Sequence, residues 1–338
     1  MTSDSVRQAG AAPDLNHRDP EYAVLIRETK ERLLSVYDQT TSGWEPYLLG
    51  GSGTLAVEAM ITSVIGAGPV LILENGYYSG RIRDIFDVHA IPYKSLTSDW
   101  LDAWGFDEIR RELSNGYEAV IGTHNETTTG RLNDIARLGS LCREFGVKCL
   151  VDAMSSFGAD SIDFSNLDAV CASGNKCLHS IPGVAFVLVN SSSVGGMANV
   201  PRRSYYMSLP MYTGDNPPLT PPVPGLMALR EALREMGDGG AKARQADYAL
   251  KAKMLRSNLA RKGLMSPIPV ADLSCTLTTV NLPQGFTYDQ WFQLNSEAGY
   301  ILYGCKGVLK DKYFQVSNMG NLTIEQLESW IGVISDFV

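Results

Sequence analysis

The sequence predicts an α/β fold: a large domain on a mostly parallel sheet, followed by a smaller C-terminal α+β domain. Three observations carry this expectation. Short apolar runs at 70–73, 119–122, 147–151, 167–171 and 184–189 lack polar alternation, as strands buried on both faces do. Segments of helical periodicity separate most of them. The chain's 338 residues also exceed a usual single core, which makes two domains the default.

Taken in order, residues 1–16 are small and polar and read as a flexible N-terminus. The large domain, 17–235, opens with Tyr22, Leu25, Ile26, Leu33, Leu34 and Tyr37 at helical spacing. Gly50-Gly51-Ser52-Gly53-Thr54 then leads into a strongly helical stretch at 55–61. A glycine-rich turn there would join free backbone N–H groups to the positive end of a helix dipole, which suits a phosphate. An ordinary N-cap by Ser52 or Thr54 is the alternative. After the strand 70–73 come a helix following Tyr78, a strand near Ile91 and a helix over 107–113. The strand 119–122 ends at Thr123-His124-Asn125-Glu126-Thr127-Thr128-Thr129-Gly130; a helix over 135–145 and a strand 147–151 lead to Asp152.

Residues 201–224 hold seven prolines and no periodicity, a loop of the length that functional or interface segments have. A long helical pattern at 225–262 breaks at Gly237-Asp238-Gly239-Gly240, and the domain boundary is placed within it. The small domain, 236–338, alternates strand 276–282, helix 288–297, strands 300–303 and 313–316, and helix 324–337.

A net charge of −8 argues against nucleic acid or an anionic membrane as the main partner, yet leaves room for a local phosphate site. No apolar run approaches the ~18 residues of a membrane span, and the N-terminus shows no signal pattern. The six cysteines form no CxxC pair, and no histidine falls at metal-ligand spacing. This suits buried thiols in a cytoplasmic enzyme without a metal.

The stretch Cys171-Ala172-Ser173-Gly174-Asn175-Lys176-Cys177-Leu178-His179 joins two buried runs, so Lys176 sits on a turn between strands. Burial there would favour its neutral amine and make it a Schiff-base nucleophile; a solvated loop lysine is the alternative. Ligands of such sheets gather at the carboxyl ends of the strands, where the 50–54 turn, 123–130 and Asp152 all fall. Pyridoxal phosphate needs amides for its phosphate, a carboxylate for its ring nitrogen, an amine for its aldehyde and a flat face for its ring. The chain offers each, although Asp152 also reads as a helix N-cap ahead of Met154-Ser155-Ser156.

Val151-Asp152-Ala153-Met154-Ser155-Ser156-Phe157-Gly158, with Asn175-Lys176-Cys177 and Pro182-Gly183, resembles the class V aminotransferases, pyridoxal-phosphate enzymes of fold type I. Matches at 51–59, Asn75-Gly76-Tyr77-Tyr78, 126–130, Thr220-Pro221-Pro222 and Ser317-Asn318-Met319-Gly320 keep the family's order over roughly residues 17–330. The resemblance implies a seven-stranded large-domain sheet and a homodimer with shared active sites. It also implies amino transfer from a small amine or amino acid, 2-aminoethylphosphonate foremost. It assigns Lys176 to the Schiff base (internal aldimine), Asp152 to the pyridinium and Tyr78 to the ring face. Ser52, Gly53, Thr54 and Asn175 match the phosphate contacts, Thr127 the hydroxyl near the ring oxygen, and Thr220 a phosphate ligand from the other subunit. Tyr78 as a core aromatic and 127–129 as turn formers are the alternatives.

Two departures bear on the substrate. Gln315 stands where the family has an arginine that clamps the substrate's acidic group. Glutamine offers neutral hydrogen bonds in place of a charged fork, a difference on the order of 1–3 kcal/mol. The family's Thr-Pro-Gly-Pro-like opening also has no counterpart before His17-Arg18-Asp19-Pro20. Arg81, Arg83, Arg202 or Arg203 would then have to supply the cation, and His179 is a candidate acid–base group with a satisfied loop histidine as its alternative. Gln315, Arg81 and His179 are therefore the substrate-side candidates. The altered clamp also admits another outcome on the same cofactor: elimination, replacement or carbon–carbon bond formation on an amino acid.

Overall fold

Both faces of the central sheet are covered, which is why its strands read as unbroken apolar runs. The computed structural model describes residues 2–39, 43–215, 219–335 and 337. The chain begins with α1 (Asp4–Gly10), α2 (Pro20–Ser35), β1 (Trp44–Gly51), α3 (Gly53–Val64), β2 (Val70–Glu74) and α4 (Tyr77–Val88). Next come β3 (Tyr93–Thr97), α5 (Phe106–Leu113), β4 (Ala119–Thr123), a short hairpin of β5 (Asn125–Glu126) and β6 (Arg131–Leu132), and α6 (Ile135–Phe145). The large unit closes with β7 (Lys148–Asp152), β8 (Ala169–Ser173), β9 (Gly183–Asn190), α7 (Ser191–Val194) and α8 (Val223–Met236). Then follow α9 (Gly240–Arg261), β10 (Leu277–Asn281), α10 (Tyr288–Glu297), β11 (Tyr303–Gly304), β12 (Tyr313–Ser317) and α11 (Ile324–Ile334).

The seven-stranded sheet has the order β1-β9-β8-β7-β4-β2-β3. Strand β9 runs antiparallel to both its neighbours, and the remaining pairs are parallel. Successive residues face opposite sides of each strand. Val120, Val151 and Val170 pack under α2, α5, α6 and α8; Ile121, Leu150 and Cys171 pack under α3 and α4. The C-terminal unit is a three-stranded antiparallel sheet, β10-β12-β11, whose Phe314 packs with Trp291, Trp330 and the α9 leucines Leu255 and Leu259. Among the described residues no helix is long and apolar enough to cross a membrane.

Five elements differ from the sequence expectation. The start of the chain is a helix, not a loose segment: Ser3 caps α1, and Val6 is buried against Ala228 and Ala232 of α8. One buried apolar side chain among small polar ones leaves no period to read. Strand β1 was hidden by Pro46, Gly50 and Gly51; the proline is tolerated because β1 lies at the sheet's edge. The strand expected near Ile91 starts at Tyr93, and of 300–303 only Tyr303 pairs, continuing to Gly304 against Phe314. The last helix stops at Ile334.

Candidate active site

The carboxyl ends of β1, β4, β7 and β8 and the start of antiparallel β9 share one edge of the sheet, where Gly51 pairs with Gly183 and Asp152 with Thr123 and Cys171. A cavity of about 540 Å³ opens there. Ser52, Gly53, Thr54, Tyr78, Arg81, Thr127, Asp152, Asn175 and Lys176 all line it, so sites predicted from stretches more than a hundred residues apart converge. Thr220, Gln315 and His179 lie outside its lining.

At one end stands the N-terminus of α3. The glycines expected as a turn, Gly50 and Gly51, belong to β1, and the helix starts at Gly53 with Ser52 at the N-cap. The Ser52 side chain makes no capping bond, which leaves the first-turn amides to a ligand. Gly53 packs against Met154: a Cβ here would lie 2.2 Å from the Met154 sulfur. Arg81 donates to Thr54 Oγ1 at 2.8 Å, and its guanidinium carbon lies 4.7 Å from the Tyr78 ring centre.

At the other end is Asp152, the last residue of β7, buried and accepting from the Met154 amide at 2.9 Å. Turns rather than a helix follow it, so it is not a helix cap. Burial pushes its carboxyl up to about 6, against the opposing pull of the Met154 N–H and the more distant Arg81 charge. A cationic ring nitrogen placed against it would hold the carboxylate charged. Thr123 Oγ1 and Asn125 Oδ1 also line this cavity, are buried and lack a hydrogen-bond partner among the described residues. Buried polar atoms left open in this way are what a bound polar group would satisfy.

A residue the sequence reading left without a role holds Tyr78 in place. Glu126 is fully buried and accepts from the amides of Tyr78 (3.4 Å), Ser79 (3.0 Å) and Thr128 (3.0 Å) and from the hydroxyls of Ser79 (3.2 Å) and Thr128 (2.6 Å). Its charge thus sits on the N-terminus of α4, where the helix dipole favours it. Gly76 allows this approach, since a Cβ there would lie 2.3 Å from the Glu126 carboxyl carbon. The signal was present as an acidic residue inside the 126–130 motif, but the helix whose N-terminus it caps, through the Tyr78 and Ser79 amides, lies 47–48 residues upstream.

Several candidates are corrected by their surroundings. Lys176 is exposed at the cavity, not buried. Gln315 donates its side-chain amide to the carbonyls of Thr127 and Thr128, the latter at 3.1 Å, so it braces the cavity wall from the small domain. His179 lies 2.5 Å from the Tyr248 hydroxyl through Nε2, outside the lining, and burial, aided by the Arg244 charge, pushes its pKa down to about 3. It is a neutral, satisfied loop histidine rather than an acid–base group of this cavity. Thr220 is exposed beside Gly50 and Tyr206. Arg83 pairs with Glu74 at 3.1 Å, Arg203 donates to the Ile65 and Gly66 carbonyls, and Arg202 lies over Tyr205. Of the arginines weighed from sequence, Arg81 alone lines the cavity. All six cysteines are buried and free, and no metal-binding cluster occurs among the described residues.

The sequence family Aminotransferase class-V matches residues 89–304. A 2-aminoethylphosphonate–pyruvate transaminase of Bacillus cytotoxicus is 30% identical over 336 residues, covering 95% of this chain and 91% of that protein. A bifunctional phosphonoacetaldehyde hydrolase/aminoethylphosphonate transaminase of Clostridioides difficile is 30% identical over 351 residues; the match takes in 100% of this chain but only 55% of that protein. Among solved structures, an alanine–glyoxylate aminotransferase from Nostoc sp. superposes with a TM-score of 0.93 at 26% identity, over 99% of this chain and 92% of that one. The cofactor of this family is pyridoxal 5′-phosphate, and the open amides of α3, the unpartnered Thr123 and Asn125 atoms and Asp152 fit it. Family match, near-full-length relatives and the site's own chemistry agree: the chain belongs to the class V aminotransferases, pyridoxal-phosphate-dependent transferases of fold type I.

Proposed function

We propose that this enzyme moves the amino group of 2-aminoethylphosphonate, or of a small amine like it, to a keto acid such as pyruvate. The supporting observation is the convergence of Lys176, Asp152 and the α3 N-terminus on one cavity in a chain whose relatives carry that activity in their names. When bound, pyridoxal phosphate supplies an electron sink for the electron pair of a substrate C–H bond. The chain's residues do the rest. The amides at Ser52, Gly53 and Thr54 hold the phosphate, with Asn175 beside them. Asp152 would keep a ring-nitrogen proton in place, Tyr78 would cover a ring face, and the Thr127 hydroxyl would serve the ring oxygen. Lys176 would hold the cofactor's aldehyde, and its amine, once released, would be the group that moves the substrate's proton. The working unit is a homodimer in which Thr220, exposed and outside its own cavity, reaches the partner's phosphate site.

Gln315 favours a second outcome, elimination, replacement or carbon–carbon bond formation on an amino acid, because its amide is already engaged by backbone carbonyls. The test is product analysis with 2-aminoethylphosphonate and pyruvate. Equimolar alanine and phosphonoacetaldehyde, lost in Lys176→Ala, supports transamination. In a parallel incubation with a panel of amino acids and pyruvate, an amino acid consumed without alanine formation supports the second outcome.

A further inference from the structure

We propose that Lys306 is the cation that receives the anionic end of the substrate, in place of the arginine whose position Gln315 holds. This rests on the reading of the substrate as a small anionic amine. The segment between β11 and β12 carries Lys306 from the small domain to the Tyr77–Tyr78 pair, just outside the cavity lining that Tyr78 belongs to. There its ammonium lies 4.5 Å from the Tyr77 ring centre and 5.5 Å from that of Tyr78, which lines the cavity. Arg81 approaches the same two rings from within α4, at 6.0 and 4.7 Å. Two cations, one from each domain, therefore converge on one pair of tyrosines.

Among the other cations considered for this role, Arg83 pairs with Glu74, Arg203 donates to the Ile65 and Gly66 carbonyls, and Arg202 lies over Tyr205 outside the cavity lining. Lys306 is exposed and makes no ion pair among the described residues. An ammonium resting on an aromatic face keeps its charge available, and a phosphonate oxygen is a stronger partner than a ring quadrupole. The placement also gives the substrate's two ends different partners: Lys176 serves the amine end, and Lys306, on the Tyr77–Tyr78 face, serves the anionic end. Lysine binds a phosphonate as a point charge, and arginine at the same place would serve it equally through its fork.

The test uses the holoenzyme and ethylphosphonate, which keeps the anionic end and lacks the amine. Calorimetric titration is expected to show binding to the parent, at least ten-fold weaker binding to Lys306→Ala, and binding within about three-fold of the parent to Lys306→Arg. Lys310→Ala, an exposed neighbour, serves as control and should bind like the parent. With 2-aminoethylphosphonate the alanine variant should raise KM and leave kcat nearly unchanged, as loss of uniform binding does. Ethylphosphonate binding to Lys306→Ala as tightly as to the parent overturns the assignment of Lys306. A parent that binds neither ethylphosphonate nor 2-aminoethylphosphonate overturns the substrate reading itself, and this assignment with it.

Discussion

Asp152 carries a cost in the cofactor-free protein that the cofactor is expected to relieve. Its carboxyl rises from 3.8 to about 6 through burial. Between those values the unfolded chain has lost its proton and the folded one keeps it, so stability falls as pH rises through the window and stays lower above it. A shift of about two units corresponds to about 3 kcal/mol. Cofactor-free Asp152→Asn should therefore resist urea better than the parent at pH 7, by about 1–3 kcal/mol, and show no advantage below pH ~4. A variant no more stable at pH 7 would contradict this account of the carboxyl. Glu126 is the opposite case, a buried charge whose acceptor bonds are complete. Glu126→Ala strands three amides and should cost about 2–4 kcal/mol in thermal or urea unfolding, with Glu126→Gln losing less. Asp152, Lys176 and 52–54 could be brought to one cavity from sequence because each falls at the end of a strand or the start of a helix. Glu126 was not legible, because nothing in the local pattern says that a carboxylate after β4 will cap a helix formed 48 residues earlier.

The elements that build the phosphate end were readable in part. The helicity of α3 was plain from composition, but its register was not: a glycine pair that looks like a turn is the last pair of an edge strand. That register leaves Gly53, not Gly50, at the first helical position, against Met154. Gly53→Ala is accordingly expected to push Met154 aside and weaken cofactor binding at least ten-fold, measured by equilibrium dialysis of the cofactor-free protein. Binding as tight as the parent's would show that the close packing at Gly53 is unimportant. The N-terminal helix α1 illustrates the same limit, since Val6 gains its meaning only from Ala228 and Ala232 more than two hundred residues away.

Across the whole molecule, the break expected at 237–240 falls between α8 and α9, while the packing across it was not readable. Docking depends on buried polar groups that meet only in the folded chain. Asp160 accepts from the Ser274 hydroxyl at 2.6 Å and the Cys275 amide at 3.0 Å, and Gln315 reaches the 127–128 carbonyls. Hence a residue that looked like a degraded substrate clamp is a brace between domains. Gln315→Ala should lower the unfolding midpoint through two lost hydrogen bonds, about 1–2 kcal/mol, before it changes any substrate preference. A changed substrate preference with an unaltered midpoint would return Gln315 to the substrate. The measurement that most directly tests the central claim is a visible-spectrum titration of the holoenzyme with 2-aminoethylphosphonate and no acceptor. Conversion of the bound cofactor to pyridoxamine phosphate, with one equivalent of phosphonoacetaldehyde released and neither seen in Lys176→Ala, is the expected result. A cofactor spectrum that 2-aminoethylphosphonate leaves unchanged, in a protein that binds pyridoxal phosphate, would contradict it.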